Sequence, residues 1–216
     1  MCGLKAIASA AALLLAMPMA HANLIQNGGF ETTSYSGSHF TDVNQGSTLI
    51  APWNVSGSVD LIKSYWTAAE GQYSIDLNGN GEGRISQSFS TVAGQAYTVS
   101  FWLAGNPDIG GQTKWLEAGI VGDGSHAYEF STVHRATYAM GWSEQRFSFV
   151  ASGINSTLFF QGDARNGVGG AALDNIVVTT AVPEPSIYVM LLVGAGLMGL
   201  AARRGESQRE APFSAS

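Results

Sequence analysis

Apolar and polar positions alternate along most of the chain between residues 23 and 182. In one segment Tyr97, Val99, Phe101 and Leu103 take every second position, and Thr, Ser and Trp fill the positions between them. A period of two places successive side chains on opposite faces of an extended strand, whereas a helix repeats about every 3.6 residues. The pattern therefore predicts β-strands with one buried face.

Nine segments carry strand patterns of this kind. They are Val59–Ile62, Tyr73–Leu77, Ile85–Phe89, Tyr97–Leu103, Lys114–Val121, Tyr128–Ser131, Arg146–Val150, Thr157–Gln161 and Leu173–Thr179. Clusters rich in Gly, Asn, Asp and Pro lie between them and favour turns. Nine or ten short strands, with no repeat and no internal linker, predict one all-β domain over residues 23–181, a β-sandwich or jelly roll.

An apolar run near the N-terminus has the features of a secretory signal peptide. Lys5 precedes the uncharged segment Ala6–Met17, and Ala20-His21-Ala22 gives the small-x-small pattern of a signal peptidase site. The sequence therefore predicts a signal peptide over residues 1–22, removed by signal peptidase. The alternative is a buried N-terminal helix.

A second apolar run lies near the other end. Residues 187–202 contain no charged side chain, and Arg203 and Arg204 follow them. A helix of this length spans about 24 Å against a hydrocarbon core of about 30 Å, and flanking residues with local thinning make up the difference. Because basic residues stay on the cytoplasmic side, we expect one transmembrane helix over 187–202, a cytoplasmic tail over 205–216 and the domain outside.

The segment before this helix reads Val182-Pro183-Glu184-Pro185-Ser186. Together with the apolar helix and the arginine pair, it resembles the PEP-CTERM sorting signal of Gram-negative bacteria, here over residues 182–204. The resemblance implies processing by an exosortase, a membrane-embedded cysteine transpeptidase, in the setting of biofilm and exopolysaccharide export. It predicts a cell-surface or extracellular protein that is at least transiently anchored in the inner membrane.

Charge and cysteine content narrow the classes of function. The chain has a formal net charge of −6 at pH 7, and the region between its two ends has six Lys or Arg against thirteen Asp or Glu. An acidic surface argues against nucleic acid as a partner, because phosphates favour basic surfaces. The single cysteine, Cys2, lies in the predicted signal peptide. The mature domain therefore has no disulfide and depends on its core or on a metal.

Several short motifs follow one another along the domain. The first is Asn-Leu-Ile-Gln-Asn-Gly-Gly-Phe-Glu at residues 23–31, and others stand at residues 52–53, 58–62, 71–79, 85–89, 101–107 and 172–176. In this order they resemble the choice-of-anchor C proteins, relatives of the domain of unknown function family 642. The resemblance implies a galactose-binding-like jelly-roll β-sandwich, an architecture shared with many carbohydrate-binding modules, and no particular ligand.

Catalytic motifs are missing from the sequence. It contains no Gly-x-Ser-x-Gly, His-Glu-x-x-His, Cys-x-x-Cys or Gly-x-x-x-x-Gly-Lys-Ser/Thr. Two carboxylates suffice for a glycosidase, but no pair among the thirteen acids has a distinctive context. We therefore expect that the protein is not an enzyme.

Two carboxylates are candidate calcium ligands. In the strand pattern Asp174 shares a face with Ile176 and Val178, and a buried carboxylate needs a partner or a cation. In carbohydrate-binding modules of the implied architecture, an early Glu and a late Asp share a structural Ca²⁺. By this resemblance Glu31 and Asp174 are predicted to hold one. The alternative is that Asp174 caps a turn and Glu31 is exposed.

A weaker calcium candidate is Asp76-x-Asn78-x-Asn80-Gly81, which matches the first half of an EF-hand loop. Gln87 stands where that loop has its bidentate Glu, and strands flank the segment instead of helices. Asn-Gly pairs also mark hairpin turns. A turn is the favoured interpretation.

Sugar binding requires exposed aromatic rings beside amide and carboxylate groups, because the C–H face of a pyranose stacks on a ring. Trp102 projects opposite to the apolar face of its strand, and Trp115 begins a strand after a Gly-rich loop. The candidate residues are Tyr65, Trp66, Trp102, Asn106, Asp108 and Trp115. The alternative is that each tryptophan packs in the core, as we expect for Trp53 and Trp142.

The sequence as a whole predicts a non-catalytic carbohydrate-binding module displayed at the cell surface or in the extracellular matrix. Its partner would be a polysaccharide or a cell-surface glycan. A structural adhesin with protein partners is the alternative, with the aromatic residues confined to the core. An extracellular polysaccharide hydrolase is the third interpretation.

Overall fold

The computed structural model describes residues 22–109, 111–181, 193–194 and 196–198. The predicted signal peptide, apart from its last residue, lies outside the described residues. So do the Val-Pro-Glu-Pro-Ser motif, the arginine pair, the tail and most of the predicted transmembrane segment, of which residues 193–194 and 196–198 are helical. Within the described ranges, no helix is both long and apolar enough to cross a membrane.

The described residues of the domain form ten strands. They are β1 Phe40–Asn44, β2 Asn54–Ile62, β3 Ser74–Asp76, β4 Gly83–Ser90, β5 Ala96–Gly105, β6 Thr113–Ile120, β7 Gly124–Ser131, β8 Ser143–Val150, β9 Asn155–Gly162 and β10 Ala171–Thr180. Each of the nine predicted segments overlaps one of them, so the all-β prediction is confirmed. The sequence pattern does not predict β1, because Val43 is its only buried residue. A short 3₁₀ helix, Ala164–Asn166, precedes β10.

The strands form two antiparallel sheets that are continuous through β2. Sheet I has the order β1-β2-β3-β10-β5-β8, and sheet II has the order β2-β4-β9-β6-β7. Residues 54–57 of β2 pair with β4, whereas residues 58–62 pair with β1 and, from Asp60 on, with β3. Gly57, with φ of 69°, stands at this change of partner and adopts a backbone conformation that costs glycine little.

The inner faces of the two sheets enclose one apolar core. The Phe101 ring of β5 lies 4.9 Å from the Phe160 ring of β9 and 5.1 Å from the Tyr128 ring of β7. Trp53 is 2% exposed, which confirms its predicted core position, whereas Trp142 packs partly buried against the core. Burying one such aromatic side chain contributes about 2 kcal/mol, so this core stabilises a domain that has no disulfide.

A β-bulge in β10 overturns one part of the strand prediction. The pairing with β5 shifts by one residue between Asp174, whose partner is Trp102, and Val177, whose partner is Ser100. Asp174 therefore lies on the outer face of sheet I, opposite to Ile176 and Val178, and not on their face as the simple alternation predicted. Asn175, with φ of 44°, absorbs the extra residue. Bulges of this kind re-aim a side chain, often next to a functional site.

Candidate functional site

Three aspartates form a row across the outer face of sheet I. Asp42 of β1 is the cross-strand partner of Asp60 in β2, and Asp60 is the partner of Asp76 in β3. The neighbouring Leu61 and Ile75 are fully buried in the core, so alternation places the aspartates on the opposite face. Directly opposed residues of an antiparallel pair have Cβ atoms about 5 Å apart, and like charges there destabilise the sheet.

The aspartate row lies in a cavity of about 340 Å³. The apolar lining consists of Phe40, Ile62, Tyr65, Ile109 and Val168. The polar lining consists of Asp42, Asp60, Asp76, Asn80 and Asn106, with the backbone of Gly79 and Gly169. Apolar and aromatic walls with a few converging polar groups are typical of a small-molecule site of this size. We call this site the aspartate cavity.

A chain of hydrogen bonds connects the rim of the aspartate cavity to its floor. The Tyr65 hydroxyl donates to Oδ2 of Asp108 at 3.0 Å, and Oδ1 of Asn106 accepts from the Asp108 amide at 3.1 Å. Nδ2 of Asn106 then donates to Oδ2 of Asp76 at 3.0 Å. Three of the predicted sugar-binding residues, Tyr65, Asn106 and Asp108, are thus brought together.

Asp60 is the least satisfied group in the cavity. Its Oδ1 is enclosed and accepts no hydrogen bond from any described residue. The atom lies against Gly79, where an added Cβ would stand 2.7 Å from it. Burial first, then a side-chain hydrogen bond with Asp42, and then the negative charges of Asp76 and Asp42 raise the pKa of Asp60 to about 8. Asp60 therefore retains its proton to a higher pH than an ordinary aspartic acid does.

Asp76, by contrast, has a donor for each oxygen although it is only 1% exposed. Its Oδ1 accepts from the amides of Asn78 at 2.9 Å and Gly170 at 2.6 Å. Burial raises the pKa of Asp76, while these hydrogen bonds and the charge of Lys114 lower it. The carboxylate thus organises the segment after β3, which is not the hairpin turn that the Asn-Gly pair suggested, because β3 and β4 do not pair with each other.

Lys114 of β6 supports the cavity from behind. It is fully buried, and its Nζ donates to the carbonyl oxygens of Ile109 and of Gly169, the latter at 2.6 Å. These two residues line the cavity from separate loops. Burial lowers the pKa of Lys114, and the nearby Asp76 carboxylate raises it. Lys114 therefore acts as a positioning residue that joins the two loops.

The two predicted calcium ligands meet at one loop, where Asp174 caps the backbone and Glu31 is exposed, which is the arrangement that the alternative interpretation describes. Oδ2 of Asp174 accepts from the amides of Ala69 and Glu70 at 2.8 and 3.0 Å. Oε1 of Glu31 accepts from the amides of Gln72 and Tyr73 at 2.7 and 2.9 Å. Burial raises the pKa of Asp174 to about 7; these amide bonds oppose that increase, and the negative charge of Glu31 adds to it.

The three tryptophans predicted to bind sugar lie in three different places. Trp66 is 3% exposed, and its indole donates to Oγ of Ser74 at 2.8 Å; its predicted role as an exposed stacking ring is therefore wrong. Trp102 is half-buried on the outer face of sheet I, as its strand pattern predicts. Trp115 lies on the outer face of sheet II beneath the Arg165 guanidinium, 4.5 Å from its ring centroid.

Trp115 borders a second, more open depression of about 480 Å³, lined also by Glu82, Glu117, Gln161 and Arg165. The Arg165 side chain is held over the ring by Asp163, at 2.6 Å from Nη2 to Oδ2. Trp115 therefore lies in a different depression from Tyr65 and on a different sheet from Trp102. The six predicted residues do not form a single site.

Sequence reasoning missed Asp42, Asp60 and Lys114 as members of the cavity. Strand pairing alone brings Asp42 opposite Asp60, and no local pattern specifies that pairing. The sequence did contain a signal for the burial of Lys114. In the alternating pattern of β6, Lys114 falls on the same inward face as Leu116 and Ala118. A lysine at such a position is rarely buried without partners.

Two family models match this chain. The model described as protein of unknown function (DUF642) covers residues 23–179, which is nearly the whole of the β-sandwich. The PEP-CTERM protein-sorting motif covers residues 181–205. Both resemblances found in the sequence are thereby confirmed.

The chain is similar to halomucin of Haloquadratum walsbyi (strain DSM 16790 / HBSQ001), with 31% identity over 178 residues. The match covers 76% of this chain and 2% of halomucin. The chain thus spans a very small part of that relative's length.

Solved structures with a similar fold include an arabinose-bound MgGH51 α-L-arabinofuranosidase, at 14% identity and a TM-score of 0.50. That likeness covers 76% of this chain and 27% of the other, and it is a likeness of fold. TmCBM61 in complex with β-1,4-galactotriose is 21% identical, with a TM-score of 0.49 over 74% of this chain and 99% of that one.

Proposed function

Since the chain belongs to the DUF642 family and carries a PEP-CTERM protein-sorting motif, we propose that it is an exported protein whose β-sandwich binds carbohydrate without catalysing a reaction. In this proposal signal peptidase removes residues 1–22, and an exosortase recognises the motif around residues 182–186. The domain then faces the exopolysaccharide outside a Gram-negative cell. The fold is that of a galactose-binding-like jelly roll.

The observation that carries the proposal is the hydrogen-bonded series Tyr65–Asp108–Asn106–Asp76 along the aspartate cavity. It fixes an aromatic ring, whose neighbours Phe40 and Trp66 lie 5.6 and 5.7 Å away by ring centroid, beside amide and carboxylate oxygens. A sugar presents the complementary groups, since its C–H face packs on a ring and its hydroxyls pair with fixed donors and acceptors. A preorganised site loses little conformational entropy on binding.

Binding assays on insoluble polysaccharides and glycan arrays test this function. We expect the protein to be retained on at least one glycan, and Tyr65→Ala to lose at least about tenfold in affinity, equivalent to about 1.4 kcal/mol. Trp115→Ala is the matched control, because Trp115 is a half-buried aromatic on the other sheet. Tyr65→Phe keeps the ring and removes only the Asp108 hydrogen bond, so its loss should be smaller. Thermal melting of each variant verifies folding.

The same assays separate the alternatives. If the wild type binds no glycan, the carbohydrate proposal fails and a structural adhesin with protein partners replaces it. If Trp115→Ala abolishes binding while Tyr65→Ala binds normally, the site lies on sheet II instead. Release of soluble sugar during incubation would instead favour an extracellular hydrolase.

We also propose that Glu31 and Asp174 hold a structural Ca²⁺. Both carboxylates converge on the amides of residues 69–73, and the negative charge of Glu31 disfavours ionisation of Asp174, a repulsion that a divalent cation relieves. Carboxylate oxygens are the ligands that calcium prefers. These two carboxylates would supply part of the oxygen ligands of the ion, which would fix the N-terminal segment to the bulge of β10.

Calorimetric titration of chelator-stripped protein with Ca²⁺, followed by thermal melting, tests the calcium site. At a free Ca²⁺ concentration ten times the Kd, we expect the free energy of unfolding to rise by about 1.4 kcal/mol. Glu31→Gln should abolish this increase, whereas Glu70→Gln, an exposed acid of the same loop, should preserve it. If the wild type shows no heat of binding and no change in Tm, the proposed calcium site is wrong.

A further inference from the structure

We propose that the aspartate cavity is specific for a positively charged sugar, a hexosamine whose amino group is not acetylated, with its ammonium group placed between Asp42 and Asp60. This inference rests on the carbohydrate-binding function proposed above and names the ligand class of the same cavity.

The first argument is the charge of the cavity. Three carboxyl groups lie opposite one another on adjacent strands. The ion pairs among the described residues are Arg146 with Glu144 and Arg165 with Asp163, so none of them neutralises the row. The charge of Lys114 lowers the pKa of Asp76, but its ammonium group donates to two backbone carbonyls behind the cavity wall. An arrangement that costs folding stability is typical of a site built for a ligand.

The second argument comes from the donors that each aspartate already has. Asp76 is saturated by three donors. Asp42 accepts a hydrogen bond from Nδ2 of Asn80 at 3.1 Å, shares another with the Asp60 carboxyl group and is exposed at the rim. Asp60 has one oxygen enclosed without a donor. The remaining acceptor capacity is therefore at the Asp42–Asp60 pair, where an ammonium group with three donors can replace the proton that the two carboxyl groups share in the free protein.

An organic cation fits better than a metal ion. Within the part of the chain that the structure describes, no group of three or more His, Cys, Asp or Glu side chains is arranged to hold a metal. Five of the ten side chains that line the cavity are apolar, and the Phe40 and Tyr65 rings make an edge-to-face contact with centroids 5.6 Å apart. Aromatic rings attract an alkylammonium group and pack against sugar C–H groups, whereas they contribute no oxygen to a hard metal ion.

A sugar also fits better than a basic peptide. Asn80 lies beside the carboxyl groups, and because its Nδ2 already donates to Asp42, its amide oxygen is the group that would accept from a hydroxyl flanking the amine. A lysine side chain carries its charge on an unbranched apolar stem and would leave this acceptor unused. The volume of about 340 Å³ is near the lower limit of small-ligand sites, which suits one sugar residue or the end of a chain.

The decisive experiment is isothermal titration of the protein with glucosamine oligomers and with N-acetylglucosamine oligomers of equal length, at low salt and neutral pH, where Asp60 can release its proton to an ammonium ligand. We expect the amine form to bind at least about tenfold more tightly, the effect of one charge-assisted contact. Asp60→Asn and Asp42→Asn should remove this preference. Asp123→Asn, which changes an exposed aspartate of the β6–β7 turn, is the matched control and should retain it.

Each outcome has one meaning. Equal binding of the two oligomers, or binding of neutral glycans alone, overturns the charged-sugar inference and leaves the carbohydrate function intact. Absence of binding to every glycan on the array overturns both. Poly-lysine that binds as tightly as the glucosamine oligomers, with the same dependence on Asp60, would assign the cavity to a basic protein partner and overturn the assignment to a sugar.

Discussion

Replacing Lys114 by methionine lowers the free energy of unfolding by about 3 kcal/mol. Methionine preserves the length of the buried stem, so the change isolates the ammonium group. Two buried carbonyl oxygens, those of Ile109 and Gly169, then lose their donor. An unsatisfied buried acceptor costs about 1–3 kcal/mol. Asp76 loses in addition the positive charge that lowers its pKa. Urea unfolding of the variant and the wild type measures the difference.

The matched control for this prediction is Lys63→Met. Lys63 is only half-buried, and its ammonium group lies 5.8 Å from the centroid of the Tyr73 ring. Removal of such a surface charge changes stability by about 0.5 kcal/mol or less. A loss in Lys114→Met no larger than the loss in Lys63→Met would show that the buried ammonium does not hold the two loops.

Replacing Asp60 by asparagine stabilises the protein at alkaline pH. The pKa of Asp60 is about 8 in the folded protein against an ordinary 3.8. Below about pH 4 the carboxyl group is protonated in both the folded and the unfolded chain, and its contribution is fully present. As the pH rises towards 8, the unfolded chain releases the proton that the folded chain retains, so the stability of the wild type falls. Asparagine removes this dependence.

The expected gain for Asp60→Asn is about 2 kcal/mol at pH 8 and close to zero at pH 4. One pKa unit corresponds to about 1.4 kcal/mol, and we reduce the full shift because water screens a side chain that is only partly enclosed. The groups that face Asp60 are Asp42 and Asp76, with Lys114 behind them. Urea unfolding across this pH range measures the effect, and Asp123→Asn should follow the wild-type curve. Parallel curves for Asp60→Asn and the wild type would contradict the raised pKa.

The Asp60→Asn variant also allows the effect of the carboxyl group on stability to be compared with its effect on binding. If asparagine raises stability and removes the preference for a charged sugar together, the carboxyl group is retained in the protein at a cost to folding. This is the relation expected for a binding group, because ligand sites keep polar residues that the fold alone would not select.

The local signals in the sequence were sufficient for most of the strands. Alternation identified nine of ten strands, since sheets with one face in the core impose a period of two. It did not identify β1, whose side chains are mostly exposed. It also placed Asp174 on the wrong face, because a bulge of one residue reverses the alternation and leaves no mark in the pattern.

The sequence by itself determined the class of the fold, the family, the sorting motif and the proximity of Glu31 to Asp174. These features depend on periodicity, on contiguous motifs or on a resemblance that covers the whole domain. Only the tertiary structure decided which polar residues share a cavity. Asp42, Asp60 and Asp76 come from three strands, and Lys114 reaches the cavity wall from a fourth strand in the other sheet. Strand pairing over such separations is set by the packing of the whole core, and no local pattern encodes it.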